Sequence, residues 1–151
     1  MSEHLATVEW RADGPGRFRD GRYSRVHAIG FDGGAEIIGS ASPQVVPVPM
    51  ADPAGVDPEE LLVASTSACH MLWFLHLARD AGLEVAGYRD EARGLMGKID
   101  GRTAIARIVL RPRIVFEGEA PDEETLARLH HEAHERCFIA NSLKSEVVVE
   151  S

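Results

Sequence analysis

The segment that most constrains this chain is Asp57-Pro58-Glu59-Glu60-Leu61-Leu62 together with the apolar run that follows it to Gly82. Asp57 can accept hydrogen bonds from the free amides of a first helical turn. Pro58 suits that turn, and Glu59 and Glu60 complement the positive end of the helix dipole. Gly82 supplies a stop. The spacing therefore predicts a helix from Pro58 to about Ala81. Leu61, Leu62, Val63, Ala64, Ala68, Met71, Leu72, Trp73, Phe74 and Leu75 are apolar almost all round it. A helix of that kind has no face suited to water, so it is expected to be central and buried on several sides.

Strand-like segments flank it. Leu5 to Arg11 alternates apolar and polar residues, and Asp13-Gly14-Pro15-Gly16 turns the chain. Tyr23 to Phe31 reads as a second strand with Tyr23, Arg25 and His27 on one face. Asp32-Gly33-Gly34 then signals a hairpin into a third strand, Ala35 to Ser40. Prolines between Pro43 and Pro53 keep the next stretch extended.

After the helix, Leu83 to Lys98 and Thr103 to Phe116 flank a second hairpin signal, Asp100-Gly101. Ala104, Ile105, Ile108 and Leu110 form a predicted core face, with Arg107 and Arg111 outside it. Pro121 to Arg136 reads as a second helix opened by Asp122-Glu123-Glu124, followed by a short segment at Ala140-Asn141-Ser142-Leu143 and a closing strand, Glu146 to Glu150. The order implies one α+β domain, residues 1–151, with largely antiparallel sheet.

At 151 residues the chain suits one compact core. Its net charge of −8 disfavours binding to nucleic acid or to an anionic membrane through a basic surface. Met1-Ser2-Glu3-His4 has no basic stretch followed by an apolar run, so no secretory signal is expected. No apolar stretch is expected to reach the roughly 18 residues of a bilayer span. A cytoplasmic location is expected. In a reducing compartment, two cysteines are not expected to form a persistent structural disulfide.

Those cysteines, Cys69 and Cys137, carry the chemistry worth weighing. Cys69 lies inside the apolar helix after the small residues Ser65-Thr66-Ser67-Ala68, which leave room around its sulfur. It can be a buried apolar side chain or a reactive thiol. Reactivity needs a cationic neighbour that favours the thiolate, and Arg25, His27 and His70 are candidates. Cys137 follows His130 and His134 at helical spacing. The three would share one helix face as possible metal ligands, with His27, His70 or Cys69 as further donors. Glu59 has a structural role at the helix start; on a continuous helix it lies about 15 Å along the axis from Cys69.

Val56-Asp57-Pro58-Glu59-Glu60-Leu61-Leu62-Val63-Ala64-Ser65-Thr66-Ser67-Ala68-Cys69 resembles the Asn-Pro-Glu-Glu-Leu stretch and helix cysteine of the OsmC/Ohr superfamily, the osmotically inducible and organic hydroperoxide resistance proteins. Cys137-Phe138-Ile139-Ala140-Asn141-Ser142-Leu143 is similar to that family's second cysteine segment. The resemblance implies an OsmC-like fold in an intertwined homodimer, with central helices at its core and active sites at the subunit interface. It also implies reduction of organic hydroperoxides, a peroxiredoxin-like oxidoreductase activity of oxidative-stress defence. Cys69 matches the peroxidatic cysteine, Cys137 the resolving cysteine, and Glu59 the glutamate that orients a catalytic arginine. That arginine does not align without gaps; Arg25 is the choice, with Arg17 and Arg22 as alternatives. The family's Cys-Pro is Cys137-Phe138 here, and His70 follows the first cysteine, which marks a divergent branch.

On this resemblance the expected partners are a small hydrophobic peroxide, an external dithiol reductant and a second copy of the chain. No resident cofactor, nucleic acid or membrane is expected. Two other readings stand beside it: a metal site on His130, His134 and Cys137, and a non-catalytic dimer that binds a small hydrophobic ligand.

Overall fold

The computed structural model of the chain describes residues 1–150. The chain forms two compact units, Met1–Leu61 and Leu62–Ser151.

In the first unit, β1 (Ala6–Glu9), β2 (His27–Phe31) and β3 (Glu36–Gly39) make an antiparallel sheet in that order. The expected hairpin at Asp32-Gly33-Gly34 is present, and Gly34 takes the positive φ (91°) that such a turn demands. β2 begins at His27, four residues later than expected, because the residues before it are engaged elsewhere. The Arg25 N–H donates to the Met50 carbonyl (2.8 Å), and the Trp10 indole donates to the Ser24 carbonyl (2.8 Å). Tyr23 packs against Trp10 and Phe18, with ring centroids 5.5 and 5.0 Å away.

The helix α1 (Pro58–Asp80) runs for 23 residues, as its sequence requires. Its start is a capping box. The Glu60 N–H donates to Asp57 Oδ1 (2.7 Å), and the Asp57 N–H donates to Glu60 Oε2 (3.0 Å). Glu60 therefore does more than complement the dipole. At the other end Gly82 (φ 78°) lets the Gly82 and Leu83 amides reach back to the carbonyls of Arg79 and Ala78, a Schellman stop.

Two expectations for this helix need correction. A single chain buries one stripe of it, Thr66, His70, Phe74, Leu77 and Ala78, rather than several sides; Ala64, Ala68 and Leu72 stay exposed. By length and composition α1 also meets the requirement for a membrane span, with mean hydropathy 1.5 over 18 residues. Ser65-Thr66-Ser67 interrupts the apolar run without lowering that average enough, which is why reading for an uninterrupted run missed it. The core helix of a folded domain has the same composition, and here the buried stripe packs on protein.

In the second unit the expected long hairpin is broken into two ladders. β4 (Val85–Asp90) pairs antiparallel with β7 (Pro112–Phe116), and β5 (Arg93–Ile99) with β6 (Arg102–Leu110). The break has an identifiable cause. Pro112 has no N–H to give a ladder, and the Arg111 N–H donates to the Asp90 carboxylate (2.6 Å) instead of to a strand. The other Asp90 oxygen accepts from the Ser67 hydroxyl of α1 (2.5 Å). Asp90 thus pins α1 to the point where the hairpin divides.

Ile105 and Ile108 are both buried although an even alternation would separate them. The register shift between Leu95 and Met96 lies opposite Ala106 and lets both sides of the bulge face the core. α2 (Glu123–Arg136) is capped by Asp122, whose carboxylate accepts from the Thr125 N–H (2.7 Å). After a single turn, α3 (Phe138–Asn141), β8 (Glu146–Val149) lies parallel to β6. The α+β class with largely antiparallel sheet and a central helix is therefore observed.

Asp90→Ala should destabilise the chain by about 2 kcal/mol, because it removes two charge-assisted hydrogen bonds to partly buried donors. Asp90→Asn should recover part of that loss. Urea unfolding of the two variants beside the parent chain measures both.

Candidate active site

The two cysteines become neighbours because α2 is seated on α1. Phe74, Leu77 and Ala78 of α1 pack with Leu129 and Ala133 of α2 in one buried cluster. Trp73, one turn beyond Cys69, takes the edge of Phe138 at 5.6 Å and lies 5.8 Å from the Arg136 guanidinium above its ring. Arg136 and Phe138 flank Cys137. Holding both on one α1 side chain sets the end of α2 near Cys69, whose thiol is close enough to influence that of Cys137. Both cysteines are free thiols; Cys69 is half-buried and Cys137 is 1% exposed.

Their environments differ. Burial pushes the Cys137 thiol above its usual range; the Ala140 N–H, donating to Sγ at 3.4 Å, works against the rise, and the neighbouring Cys69 thiol adds to it. Cys137 is therefore held as a thiol rather than a thiolate at neutral pH. Its backbone is extended (φ −68°, ψ 108°), and it both ends α2 and caps α3.

That geometry corrects the metal reading. Helical spacing would put His130, His134 and Cys137 on one face, but Cys137 has left the helix and its sulfur accepts from the Ala140 N–H. His130 turns instead into the core, where its ring stacks on Phe74 at 4.5 Å. Among the described residues, no group of three or more His, Cys, Asp and Glu side chains is disposed to hold a metal ion.

His70, a candidate cation beside Cys69, is also reassigned. Its Nε2 lies 3.1 Å from His130 Nδ1 in a buried hydrogen bond, and the rings are within 10° of parallel. Burial, followed by the nearby His130 and His134, lowers the His70 pKa from 6.5 to about 4. Burial likewise brings His130 to about 4, against the opposing pull of Asp90. Both rings are neutral at pH 7, so neither supplies a positive charge. Tyr88 is also in this region, its ring 5.8 Å from Phe74. Its hydroxyl is buried without a partner among the described residues, and burial followed by Asp90 raises its pKa well above the usual range. Sixty residues separate His70 from His130, so no local motif announces the pair; the only signal is that His70 falls four residues from Thr66 and from Phe74 on the buried stripe.

The remaining predicted site residues lie in the Met1–Leu61 unit. The Arg25 guanidinium stacks over Tyr23 at 3.5 Å and donates to the carbonyls of Gly21 (3.0 Å) and Tyr23 (2.5 Å). Arg17 pairs with Asp13 at 3.5 Å and Arg22 with Asp20 at 2.9 Å. The His27 Nδ1 is 2.8 Å from the Arg25 carbonyl. Glu59 has one buried carboxylate oxygen, Oε2, with no hydrogen-bond partner among the described residues.

The sequence profile of the family described as OsmC-like protein matches residues 51–151, two thirds of the chain, including both cysteines. The chain belongs to the OsmC-like protein family. An OsmC-like protein of unknown function from Vibrio cholerae is 50% identical in sequence, covers 99% of each chain, and superposes with a TM-score of 0.96. The YmaD protein of Bacillus subtilis (strain 168) is 26% identical over 105 residues, 68% of this chain and 70% of that protein. The structure of an organic hydroperoxide resistance protein from Elizabethkingia anophelis matches with a TM-score of 0.71 at 18% identity, over 99% of this chain and 93% of that one. That last likeness concerns the fold. This OsmC-like protein thus shares its architecture with organic hydroperoxide resistance proteins.

The buried histidines give the OsmC-like protein a defined pH response. In the unfolded chain His70 and His130 take up protons near pH 6.5, but in the folded chain only near 4. Between those values the unfolded state binds more protons, so stability is full above pH 6.5 and falls as pH drops toward 4. The upper limit of the loss is about 3 kcal/mol per ring. Urea midpoints at pH 7.5 and pH 5 should show the drop, and His70→Phe should remove a large part of it.

Proposed function

We propose that this protein is a two-cysteine thiol peroxidase that reduces organic hydroperoxides. The observation that carries the reading is the proximity of the Cys69 and Cys137 thiols, near enough for one to influence the other although they lie 68 positions apart in the chain. Membership of the OsmC-like family and a fold shared with organic hydroperoxide resistance proteins support it.

In the first step the Cys69 thiolate attacks the outer peroxide oxygen. The O–O bond breaks, the alcohol leaves after taking up a proton, and Cys69 becomes a sulfenic acid. The Cys137 sulfur then attacks the Cys69 sulfur. An S–S bond forms, the S–O bond breaks, and the sulfenic oxygen leaves as water with the Cys137 proton. An external dithiol returns both cysteines to thiols by exchange and is itself oxidised to a disulfide.

The unequal burial of the thiols suits this division of labour. Half-buried Cys69 is open to a peroxide, whereas Cys137, enclosed and held protonated, is reserved for the sulfenic acid beside it. Arg25 as the group that favours the Cys69 thiolate, and Glu59 as the residue that orients it, enter on the family resemblance. The unpartnered Glu59 oxygen is consistent with a carboxylate awaiting a guanidinium. A homodimer belongs to the same proposal: Ala64, Ala68 and Leu72 leave an apolar stripe of α1 exposed, which a second copy would cover. The reaction is proposed for the cytoplasm, where dithiol reductants are available.

Turnover of cumene hydroperoxide with a dithiol reductant tests the scheme. Cys69→Ser should abolish it. Cys137→Ser should still consume about one equivalent of peroxide in the first turnover and then stall as Cys69 overoxidises, by the sulfur chemistry of sulfenic acids that lack a resolving thiol. Equal activity in all three proteins, or none in the parent, would contradict the proposal.

A further inference from the structure

The His70–His130 pair takes no part in the thiol chemistry, yet it is placed where that chemistry is assembled. His70 follows Cys69 directly on α1. His130 sits on α2 seven residues before Cys137, about 10 Å along the helix axis at ~1.5 Å per residue. The rings are joined edge to edge, Nε2 to Nδ1 at 3.1 Å, with exposures of only 1% and 4%. The outer nitrogens, His70 Nδ1 and His130 Nε2, are buried without partners among the described residues.

Packing alone does not explain two imidazoles here. Burying them strips water from four ring nitrogens and restores only one hydrogen bond, whereas Phe or Leu would fill similar space at no polar cost. What an imidazole pair adds is direction. The apolar contacts of Phe74, Leu77 and Ala78 with Leu129 and Ala133 tolerate small slips of one helix on the other. An N–H···N bond weakens steeply when its angle or length is lost. A disulfide has an equally narrow geometric window, so small slips matter at the sulfurs.

We infer that His70 and His130 are a positioning pair, whose mutual hydrogen bond fixes α2 on α1 in the register that lets Cys137 close a disulfide on Cys69. Trp73, holding Arg136 and Phe138, secures the same segment at its far end. The pair acts through the cysteines and touches no reacting oxygen. The inference deepens the proposed function and rests on the same two thiols, but it concerns ring closure rather than peroxide reduction.

The test uses diamide, an azo oxidant, so that closure is read whatever the protein does with peroxides. The first thiolate adds to the N=N bond, forming an S–N bond, and the other nitrogen takes a proton. The second thiol then attacks the bound sulfur; the S–S bond forms, the S–N bond breaks, and the hydrazine leaves with the second proton. Stopped-flow kinetics with mass spectrometry separate adduct formation from closure.

His70→Phe keeps the volume and removes the hydrogen bond. It should slow closure roughly tenfold, the factor given by one hydrogen bond of about 1.4 kcal/mol, and leave adduct formation unchanged. His70→Gln puts an amide N–H near the place of Nε2 and should restore most of the rate. From the other side, His130→Asn offers an acceptor near the place of Nδ1 and should outperform His130→Leu, which provides a comparison should His70→Phe fail to fold. Closure at the parent rate in His70→Phe and His130→Leu would overturn the inference, as would equal losses in the amide and apolar variants. A parent chain that closes normally with diamide but ignores hydroperoxides would overturn the peroxidase reading and leave the positioning pair standing.

Discussion

The seating of α2 on the Phe74, Leu77 and Ala78 stripe of α1 is the contact on which the candidate site depends. Fully burying side chains such as Phe74 and Leu129 stabilises a chain by about 1.5–3 kcal/mol each. Here that burial also has a geometric result. It carries the end of α2 to the middle of α1, where Cys137 leaves the helix with an extended backbone near Cys69. Trp73 and the His70–His130 bond join the same two segments. Asp90, holding Ser67 on one side and the Arg111 amide on the other, fixes α1 against the divided hairpin. Each of these ties joins residues distant in sequence, so the site is a property of the packed fold and not of a local motif.

Much of the local structure was legible because its causes are local. Asp57, Pro58 and Gly82 mark the two ends of α1, Asp122 marks the start of α2, and Asp32-Gly33-Gly34 and Asp100-Gly101 mark the hairpins. The break at Asp90 to Pro112 was not legible, since it turns on a carboxylate drawing an amide out of a ladder. The bulge opposite Ala106 was hidden for a similar reason; alternation alone cannot place Ile105 and Ile108 on one core. The late start of β2 reflects Met50 and Trp10, neither of which is a neighbour of Arg25 in sequence.

The site was legible in its residues and not in its environments. Cys69 and Cys137 could be named from their surroundings and from the family resemblance, but sequence could not say that they are neighbours. Helical spacing misled for Cys137, because a cap residue does not continue the face of the helix it ends. His70 looked like a possible cation beside a thiol; burial against His130 makes it a neutral ring. The apolar surround of α1 implied more burial than a single chain provides, and the exposed Ala64, Ala68 and Leu72 are the residue of that expectation.

The account centres on two thiols, one reachable and one enclosed, placed to join. Non-reducing peptide mapping by mass spectrometry, after the reduced protein receives one equivalent of cumene hydroperoxide, tests that claim most directly. The account predicts one dominant product within a single chain, the Cys69 and Cys137 peptides joined and two hydrogens lighter. Cys69 overoxidised beside a free Cys137, a disulfide formed only between chains, or two unchanged thiols would contradict it.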